Sequence, residues 1–318
     1  MELNIFSTSN KPSIDLESVR NTVIIGGGPV GYNAALYSYR KGFNPLLILG
    51  SPGGQVVNTN EIENYLGLLE VDGAKMAQLF HKHVIDFGID IIEDIYVTSL
   101  TKNNDLFILT LASGEVVRAK TVILATGGNP RKLHVEGEDT LFAKGISYCA
   151  ICDAPFFKEK NVVIVGGGDS AVEAAIDVAK WATTVHIVHR STFRAQKILL
   201  DRMNALDNVT YELGSTIHKI GGEHKVEYIE IEHDKKIRRM DVEGLFIEIG
   251  QDPNSQLVKD LVDLNENMEV KVDRNQQTSL PGLFAAGDVS DDPFKQIITA
   301  ASGGAVAALS ASDYLTRM

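Results

Sequence analysis

The chain has 318 residues, of which 44% are hydrophobic and 23% charged, with 28 glycines and a formal net charge of -12 at pH 7. This length accommodates two domains with full cores, and the composition is that of an α/β enzyme rather than a disordered or fibrous chain. The acidic balance, without any basic run, argues against nucleic acid and anionic membrane surfaces as partners.

The opening segment, Met1 to Arg20, is polar and lacks the apolar core of a signal peptide. No apolar run reaches the ~18 residues that a membrane-spanning helix needs. We therefore expect a cytoplasmic protein without a membrane anchor. In a reducing compartment the two cysteines of the chain, Cys149 and Cys152, are typical of a cycling redox pair rather than of a structural staple.

The first nucleotide-binding signature follows a short apolar strand, Val23 to Ile25, and precedes a helical stretch. Gly26 to Gly31 form a Gly-x-Gly-x-x-Gly turn. In such a turn Gly26 permits the tight bend, Gly28 lets the backbone approach a pyrophosphate, and Gly31 lets the helix pack on the strand. The order of strand, turn and helix distinguishes this motif from a simple glycine turn.

The second predicted strand, Pro45 to Leu49, ends at Gly50, where an NAD-binding domain would carry a ribose-binding acid. A plain NAD site is therefore not expected here. The polar loop from Ser51 to Tyr65 is long enough to wrap a larger nucleotide. In the helix that follows, the spacing of apolar residues predicts His83 at the edge of the core and His81 on another face.

Two breaks in the pattern predict the points where the chain crosses between domains, Thr126 to Pro130 and Gly250 to Asn254. Short β runs predict a small meander and one further strand before the first break, at Ile95 to Leu100, Leu106 to Leu111, Val116 to Arg118 and Thr121 to Ala125. A second meander is predicted before the second break, at Tyr211 to Leu213, Thr216 to Ile220 and Val226 to Ile231.

A second nucleotide signature repeats the first: the strand Val162 to Val165 leads into the glycine turn Gly166 to Ala171, and a helix follows through Trp181. The next strand ends in Arg190, with Arg194 just beyond. Bases at the ribose end suit a 2′-phosphate and favour NADP over NAD. The alternative is that these arginines are solvated surface residues.

Near the end of the chain, the strand Leu283 to Ala286 leads to Gly287 and Asp288, and a helix rich in small residues begins at about Gln296. An acid at a strand end can hold a cofactor hydroxyl. The helix N-terminus behind it would favour negative charge on a reduced flavin.

The stretch between the two glycine turns holds the redox candidates. Cys149 and Cys152 form a Cys-x-x-Cys turn, in which one thiol often has a lowered pKa, and Asp153 follows directly and could move a proton. The alternatives are two buried thiols or half of a zinc site. A structural zinc site needs four ligands, so only a site shared across a dimer would serve, and we predict no metal site.

Together these motifs resemble the low-molecular-weight thioredoxin reductases from about Thr22 onward. The resemblance rests on Gly26 to Gly31, Gly53 to Gln55, Ala125 to Gly127, Cys149 to Asp153, Gly166 to Ala171, His189 with Arg190, Phe193 to Ala195, and Ala285 to Asp288 with Gln296. It implies an α/β fold with two Rossmann-like dinucleotide-binding domains of the three-layer ββα type, the second inserted into the first. Residues 1–129 and 252–318 would bind FAD, and residues 130–251 would bind NAD(P)H and carry the redox disulfide.

The resemblance also implies a role for individual residues. Electrons would pass from NADPH through FAD to the Cys149–Cys152 disulfide, with Cys152 facing the flavin and Asp153 as the acid, and then to a thioredoxin-like protein. A homodimer is implied as well. The FAD residues would be Gly26, Gly28, Gly31, Gly54, Gln55, Asn64, Asp288 and Gln296, and the NADPH residues Gly166, Gly168, Ser170, Arg190 and Arg194.

Three positions depart from the family pattern. Ser191 stands where a second arginine is usual, and the stretch from there to Arg194 is one residue shorter; Ile151 and Ala154 replace a threonine and a glycine around the cysteines. Two alternatives therefore stay open: the same flavin-containing reductase fed by NADH or reduced ferredoxin, and a non-catalytic flavin protein that senses redox state.

Overall fold

The computed structural model describes residues 14–59, 61–69 and 71–318. Most of the polar opening segment, on which part of the cytoplasmic prediction depends, lies outside these residues. Among the residues described, no helix is long and apolar enough to cross a membrane. The chain divides into two compact units, Met1–Asn129 with Asp252–Met318, and Pro130–Gln251.

The first part of the first unit alternates strands and helices and then adds a run of consecutive strands. These elements are β1 (Arg20–Ile25), α1 (Pro29–Arg40), β2 (Pro45–Ile48), α2 (Gly73–Asp86), β3 (Asp90–Ile92), β4 (Val97–Asn103), β5 (Leu106–Leu111), β6 (Val116–Leu124) and β7 (Gly128–Pro130). The separate strands predicted at Val116 to Arg118 and Thr121 to Ala125 are wrong. They form one strand, because burial continues to alternate through Ala119 while Lys120 points to solvent.

The second unit contributes β8 (Ile146–Ser147), α3 (Ala150–Asp153), β9 (Asn161–Val165), α4 (Asp169–Val178), β10 (Thr184–His189), α5 (Lys197–Asn204), β11 (Val209–Leu213), β12 (Ser215–Gly221), β13 (Tyr228–His233), β14 (Lys236–Asp241) and β15 (Gly244–Ile247). The chain then returns to the first unit through β16 (Gln251–Pro253), β17 (Leu283–Ala285) and α6 (Ile297–Leu315). The two crossing segments, β7 and β16, pair with each other as a small sheet. The points where the chain was predicted to cross between domains therefore contain short strands.

The sheet of the first unit has the order β3-β2-β1-β6-β5-β4, with β17 also paired to β6. β1 runs parallel to β2 and β6, whereas β4, β5 and β6 form the predicted antiparallel meander. Successive side chains of a strand face opposite sides. Val23 therefore packs in a core with Phe107 of the meander, and Ile24 packs in a second core with Ala34 of α1 and Ala307 of α6.

The second unit repeats this layering around a parallel sheet of order β11-β10-β9-β15-β8. Ile164 packs with Val172 of α4 in one core, and Val163 packs with Ile229 of β13 in the other. Both units are thus three-layer, Rossmann-like structures, and the predicted fold class is confirmed.

The second meander differs from the prediction in one strand. Tyr211 to Leu213 belongs to β11 at the edge of the parallel sheet, because the unpredicted helix α5 separates it from β10. A strand that follows such a crossover helix lies parallel to its predecessor. The third strand of the meander is instead β14, which pairs antiparallel with β13.

The two histidines of α2 are also placed differently from the prediction. His81 is buried and hydrogen-bonds Glu93 through its Nε2, whereas His83 is exposed. The buried face of α2 includes Ala77, and His81 follows it by four residues on the same face. The prediction of His83 at the core edge is therefore wrong.

Candidate redox and nucleotide-binding sites

Of the three motif glycines in the first turn, Gly26 and Gly31 are required by the backbone and Gly28 faces open space. Gly26 has a φ of +124°, and a Cβ there would lie 2.1 Å from the carbonyl oxygen of Ala125. A Cβ on Gly31 would lie 1.8 Å from the carbonyl oxygen of Gly26. A Cβ on Gly28, by contrast, would meet nothing within 4 Å. Gly28 is therefore the position where a ligand can approach the backbone.

The N-terminus of α1 opens onto this space. The helix has neither a side-chain cap at Gly28 nor an acidic residue in its first turn. Its first backbone N–H groups and the positive end of its dipole suit a pyrophosphate. Gly54 lies beside the turn, because a Cβ there would be 3.2 Å from the Cα of Gly28. The residues present therefore fit the phosphates of a dinucleotide.

The structure brings the remaining predicted FAD residues together in two pairs, although they are far apart in sequence. The Nε2 of Gln55 lies 3.5 Å from the Oδ2 of Asp288 and also donates to the carbonyl oxygen of Gly128. The Nδ2 of Asn64 donates to the Oε1 of Gln296 at 3.2 Å. The polar loop after β2 thus meets the segment between β17 and α6.

Asp288 lies half-buried after β17. Burial raises the pKa of its carboxyl group, the charge of Lys295 opposes that rise, and Glu269 adds to it. Lys295 is itself paired with Glu269 at 3.0 Å. At the start of α6, Gln296 and Thr299 form a reciprocal capping box, so part of that helix end is satisfied by the chain itself.

The second glycine turn has the same design as the first. Gly166 has a φ of +152°, and a Cβ there would lie 2.3 Å from the carbonyl oxygen of Glu248, while a Cβ on Gly168 would meet nothing within 4 Å. Ser170 is exposed in the first turn of α4. The carboxylate of Asp169 accepts the backbone N–H and the side-chain amide of Gln196 at 2.7 and 2.9 Å, which lowers its pKa.

Arg190 and Arg194 are both exposed beyond the end of β10. The backbone N–H of Arg194 donates to the carbonyl oxygen of Gly167 at 2.8 Å, which ties this segment to the second glycine turn. Burial lowers the pKa of His189, and the charges of both guanidinium groups add to this lowering, which places them near that residue. The structure therefore gathers two cations beside the turn, where a coenzyme phosphate would be recognised.

His189 is buried between these cations and the turn. Burial is the main cause that lowers its pKa, and its Nε2 lies 3.2 Å from the hydroxyl of Ser191. Its ring stacks on Phe193, and a Cβ on Gly167 would lie 2.3 Å from its Cδ2. The histidine thus packs directly on the glycine turn, and Ser191 contacts it.

The two cysteines form a disulfide in the second unit, as the motif predicts. Cys149 caps the short helix α3, and the backbone N–H of Cys152 points at the Cys149 Sγ from 3.3 Å. Within the parts of the chain that the structure describes, no group of three or more His, Cys, Asp or Glu side chains is arranged to hold a metal ion.

Ser147, which the sequence did not indicate, links the disulfide to the predicted acid. Its hydroxyl donates to the Oδ2 of Asp153 at 2.6 Å and accepts the backbone N–H of Cys149 at 3.0 Å. Burial raises the pKa of the Asp153 carboxyl group, and the Ser147 hydroxyl opposes that rise. Asp153 therefore lies next to the disulfide turn and is easier to protonate than an exposed aspartate.

Glu248 is a second acid that the sequence analysis missed. It directly follows β15, and its Oε1 accepts the backbone N–H of Ala150, inside the Cys-x-x-Cys turn, at 3.3 Å. Burial raises the pKa of Glu248 to about 7. The available signal was a charged residue immediately after a wholly buried strand, at the sheet edge where ligands bind.

With this geometry in view, comparison with known proteins identifies the class. Residues 20–304 match the pyridine nucleotide-disulphide oxidoreductase family. The chain belongs to this family, which implies FAD and a nicotinamide coenzyme.

One relative and two solved structures show which members of this family the chain is similar to. The chain is 38% identical over 314 residues to the F component of alkyl hydroperoxide reductase of Staphylococcus aureus, and it spans 62% of that protein's length while 98% of the chain is covered. A solved thioredoxin reductase from Streptococcus pyogenes superposes with a TM-score of 0.89 at 38% identity, covering 94% of this chain and 99% of the other. A thioredoxin reductase from Giardia duodenalis gives a TM-score of 0.89 at 30% identity, with 94% and 100% covered.

Proposed function

We propose that the protein is a flavin-dependent disulfide reductase that uses NADPH to reduce a thioredoxin-like protein. The first unit would hold FAD at its glycine turn and at the Gln55–Asp288 and Asn64–Gln296 pairs. The second unit would hold NADPH at Gly166, Gly168, Ser170, Arg190 and Arg194. FAD, when bound, would relay an electron pair from the coenzyme to the disulfide.

One observation carries this proposal: the Cys149–Cys152 disulfide and a dinucleotide-type glycine turn lie at the same edge of one parallel sheet. β8 leads to the disulfide and β9 leads to the turn, and both pair with β15. In open α/β sheets ligands bind at the carboxyl ends of the strands. A redox disulfide at that edge supports electron exchange with a bound nucleotide system rather than a structural cross-link.

The residues of the chain supply the proton chemistry. Reduction adds two electrons and breaks the S–S bond. The sulfur of each cysteine then becomes a protonated thiol or remains a thiolate. Asp153 would supply a proton, since burial raises the pKa of its carboxyl group and Ser147 orients it. By resemblance, Cys152 would face the flavin, with Cys149 as its partner. We assign the attack on the disulfide of the protein substrate to Cys149, the thiol that does not face the flavin.

The choice of coenzyme rests on two arginines. Arg190 and Arg194 stand beside the second glycine turn, and the nearby Asp169 carboxylate is already held by Gln196. Ser191 in place of a further arginine removes one contact for a 2′-phosphate, so we expect a modest preference for NADPH over NADH.

The comparisons support two candidate protein partners. The thioredoxin reductases that superpose on the chain support a thioredoxin-like substrate. We further propose that the protein is a cytoplasmic homodimer, as the sequence and the family resemblance imply. A second candidate is reduction of a partner in an alkyl hydroperoxide reductase system, favoured by the 38% identity to a component of that system.

Steady-state assays with each donor and acceptor test the proposal. Purified protein is supplied with NADPH, NADH or reduced ferredoxin, and reduction of thioredoxin is followed by its new thiols. We expect turnover with NADPH, slower turnover with NADH, and none in a Cys149→Ser variant. Turnover with reduced ferredoxin alone would show that NADPH is not the electron donor. No turnover with any of the three donors would overturn the proposal that the protein is a disulfide reductase.

A further inference from the structure

Glu248 has no part in the chemistry proposed above, yet its backbone is built into the nucleotide edge of the second unit. Its N–H donates to the carbonyl oxygen of Val165 at 2.8 Å, at the end of β9. Its own carbonyl oxygen lies 2.3 Å from the place that a Cβ on Gly166 would occupy. Glu248 is therefore fixed directly beside the second glycine turn.

Its side chain reaches toward the disulfide. The Oε1 accepts the backbone N–H of Ala150 at 3.3 Å, and Ala150 directly follows Cys149. The carboxyl group is thus hydrogen-bonded to the residue next to Cys149. That N–H group, at the start of the Cys-x-x-Cys turn, is therefore already used. In many reactive cysteines such N–H groups favour the thiolate.

Among the residues that the structure describes, no positive partner fixes the charge of this carboxyl group. Burial is the main cause that raises its pKa, to about 7, and only the Ala150 N–H opposes the rise. The other titratable groups on adjoining segments have partners of their own: Asp153 faces Ser147, Asp169 faces Gln196, and Tyr148 donates to Glu138. β8 itself, Ile146 and Ser147, carries no titratable side chain.

We propose that Glu248 is a positioning residue of the redox turn, which holds the backbone beside Cys149 and, when ionised, opposes the formation of the Cys149 thiolate. This proposal rests on the function proposed above, in which two electrons and two protons reduce the Cys149–Cys152 disulfide to two thiols. The charge of Glu248 would then influence whether the Cys149 thiol keeps or releases its proton.

The physical consequence follows from like charges. A carboxylate bonded to the N–H of the residue after Cys149 disfavours a thiolate on that cysteine through charge repulsion, whereas a neutral carboxyl group does not. An ionised Glu248 therefore keeps Cys149 as a protonated, weakly nucleophilic thiol. Because the acid changes charge near neutral pH, small changes in its surroundings at the glycine turn would alter the reactivity of Cys149.

The test measures the pKa of the Cys149 thiol in the full-length chain. The substitution Cys152→Ser leaves Cys149 as the single cysteine and keeps the backbone N–H that points at its sulfur. After treatment with dithiothreitol, the rate of alkylation by iodoacetamide is recorded from pH 5 to pH 10. Glu248→Gln is added to this background, because glutamine can still accept the Ala150 N–H but carries no charge.

We expect Glu248→Gln to lower the pKa of Cys149 by about one unit. Below that pKa the thiolate fraction rises about tenfold and its nucleophilicity falls with its basicity, so the alkylation rate rises about three- to fourfold. Glu243→Gln is the matched control, since Glu243 accepts the backbone N–H of Asn161 at the other end of the same sheet. It should leave the pKa of Cys149 unchanged.

Glu248→Ala removes both the charge and the hydrogen bond, and should lower the pKa of Cys149 as well. A Glu248→Gln variant with the pKa of its parent would overturn the proposal, whether or not the alanine variant shifts. The same shift in Glu243→Gln would also overturn it, because the effect would then not be local. The assay needs neither coenzyme nor protein substrate, so its failure is distinct from failure of the proposed reductase.

Discussion

The most informative single substitution is Gly28→Ala, because the structure separates its effect on folding from its effect on the cofactor. Gly28 has a φ of -85° and a ψ of -175°, an extended conformation that alanine adopts readily. The added Cβ meets nothing within 4 Å. The stability of the apoprotein should therefore change by no more than about 1 kcal/mol.

Flavin binding should respond strongly to the same methyl group. The methyl projects into the open side of the turn and would hold a pyrophosphate away from the N–H groups of α1. Loss of one hydrogen bond to a charged group costs about 1.5 to 3 kcal/mol. That is roughly a ten- to hundredfold weaker FAD affinity.

The contrast with Gly31→Ala sharpens the test. A Cβ at Gly31 would lie 1.8 Å from the carbonyl oxygen of Gly26, so strand and helix must separate, at a cost of about 3 kcal/mol. Thermal unfolding of each apoprotein and titration with FAD, followed by flavin fluorescence, measure the two effects. Gly168→Ala in the other unit is the control and should bind FAD like the parent. Unimpaired FAD binding by Gly28→Ala would refute the reasoning.

Three further substitutions test individual roles. Asp288→Ala should weaken FAD retention by roughly ten- to a hundredfold, since it removes one charged acceptor, and equilibrium dialysis that finds unchanged retention would discard that role. Arg190→Ala should raise the KM for NADPH by about ten- to a hundredfold and leave that for NADH nearly unchanged; equal losses would make Arg190 structural. Ser147→Ala removes the hydroxyl that opposes the raised pKa of Asp153, so that pKa should rise further. The alkaline limb of the pH profile for disulfide reduction should then move to higher pH, and an unmoved limb would count against Asp153 as the acid.

The elements that the sequence predicted correctly share one property: their signals are local. β1 and β9 are buried apolar runs that lead directly into glycine turns, and Cys149 and Cys152 are close enough in sequence to pair. Strand, turn and helix in that order define a dinucleotide-binding unit without knowledge of the rest of the chain.

Two of the errors occurred where exposed side chains removed the hydrophobic pattern. β14 carries charged, exposed side chains along most of its length, so nothing in Lys236 to Asp241 predicts a strand. α5 contains several charged residues, and its absence from the prediction assigned Tyr211 to the wrong sheet. The predicted burial of His83 and His81 was interchanged for another reason. The spacing of apolar residues does not reveal that a polar side chain such as His81 is buried with a hydrogen-bond partner, here Glu93.

The site was predictable only in part for a different reason. The Ala150–Glu248 contact depends on how β8 and β15 pair, which no local pattern encodes. Ser147 and Asp153 are only six residues apart, but they meet through the fold of the redox turn between them, which the sequence pattern does not specify. The pairing of Gln55 with Asp288 likewise joins distant segments: the end of a strand indicated Asp288, whereas Gln55 was indicated only by the family resemblance.

The central claim is that reducing equivalents from NADPH reach the Cys149–Cys152 disulfide, and counting thiols after anaerobic reduction tests it most directly. FAD-loaded protein is mixed with a small excess of NADPH without oxygen, quenched in acid, and alkylated for mass determination. We predict two newly alkylated cysteines per chain, and none when NADPH is omitted. Protein whose flavin absorbance bleaches while both cysteines stay disulfide-bonded would contradict the account.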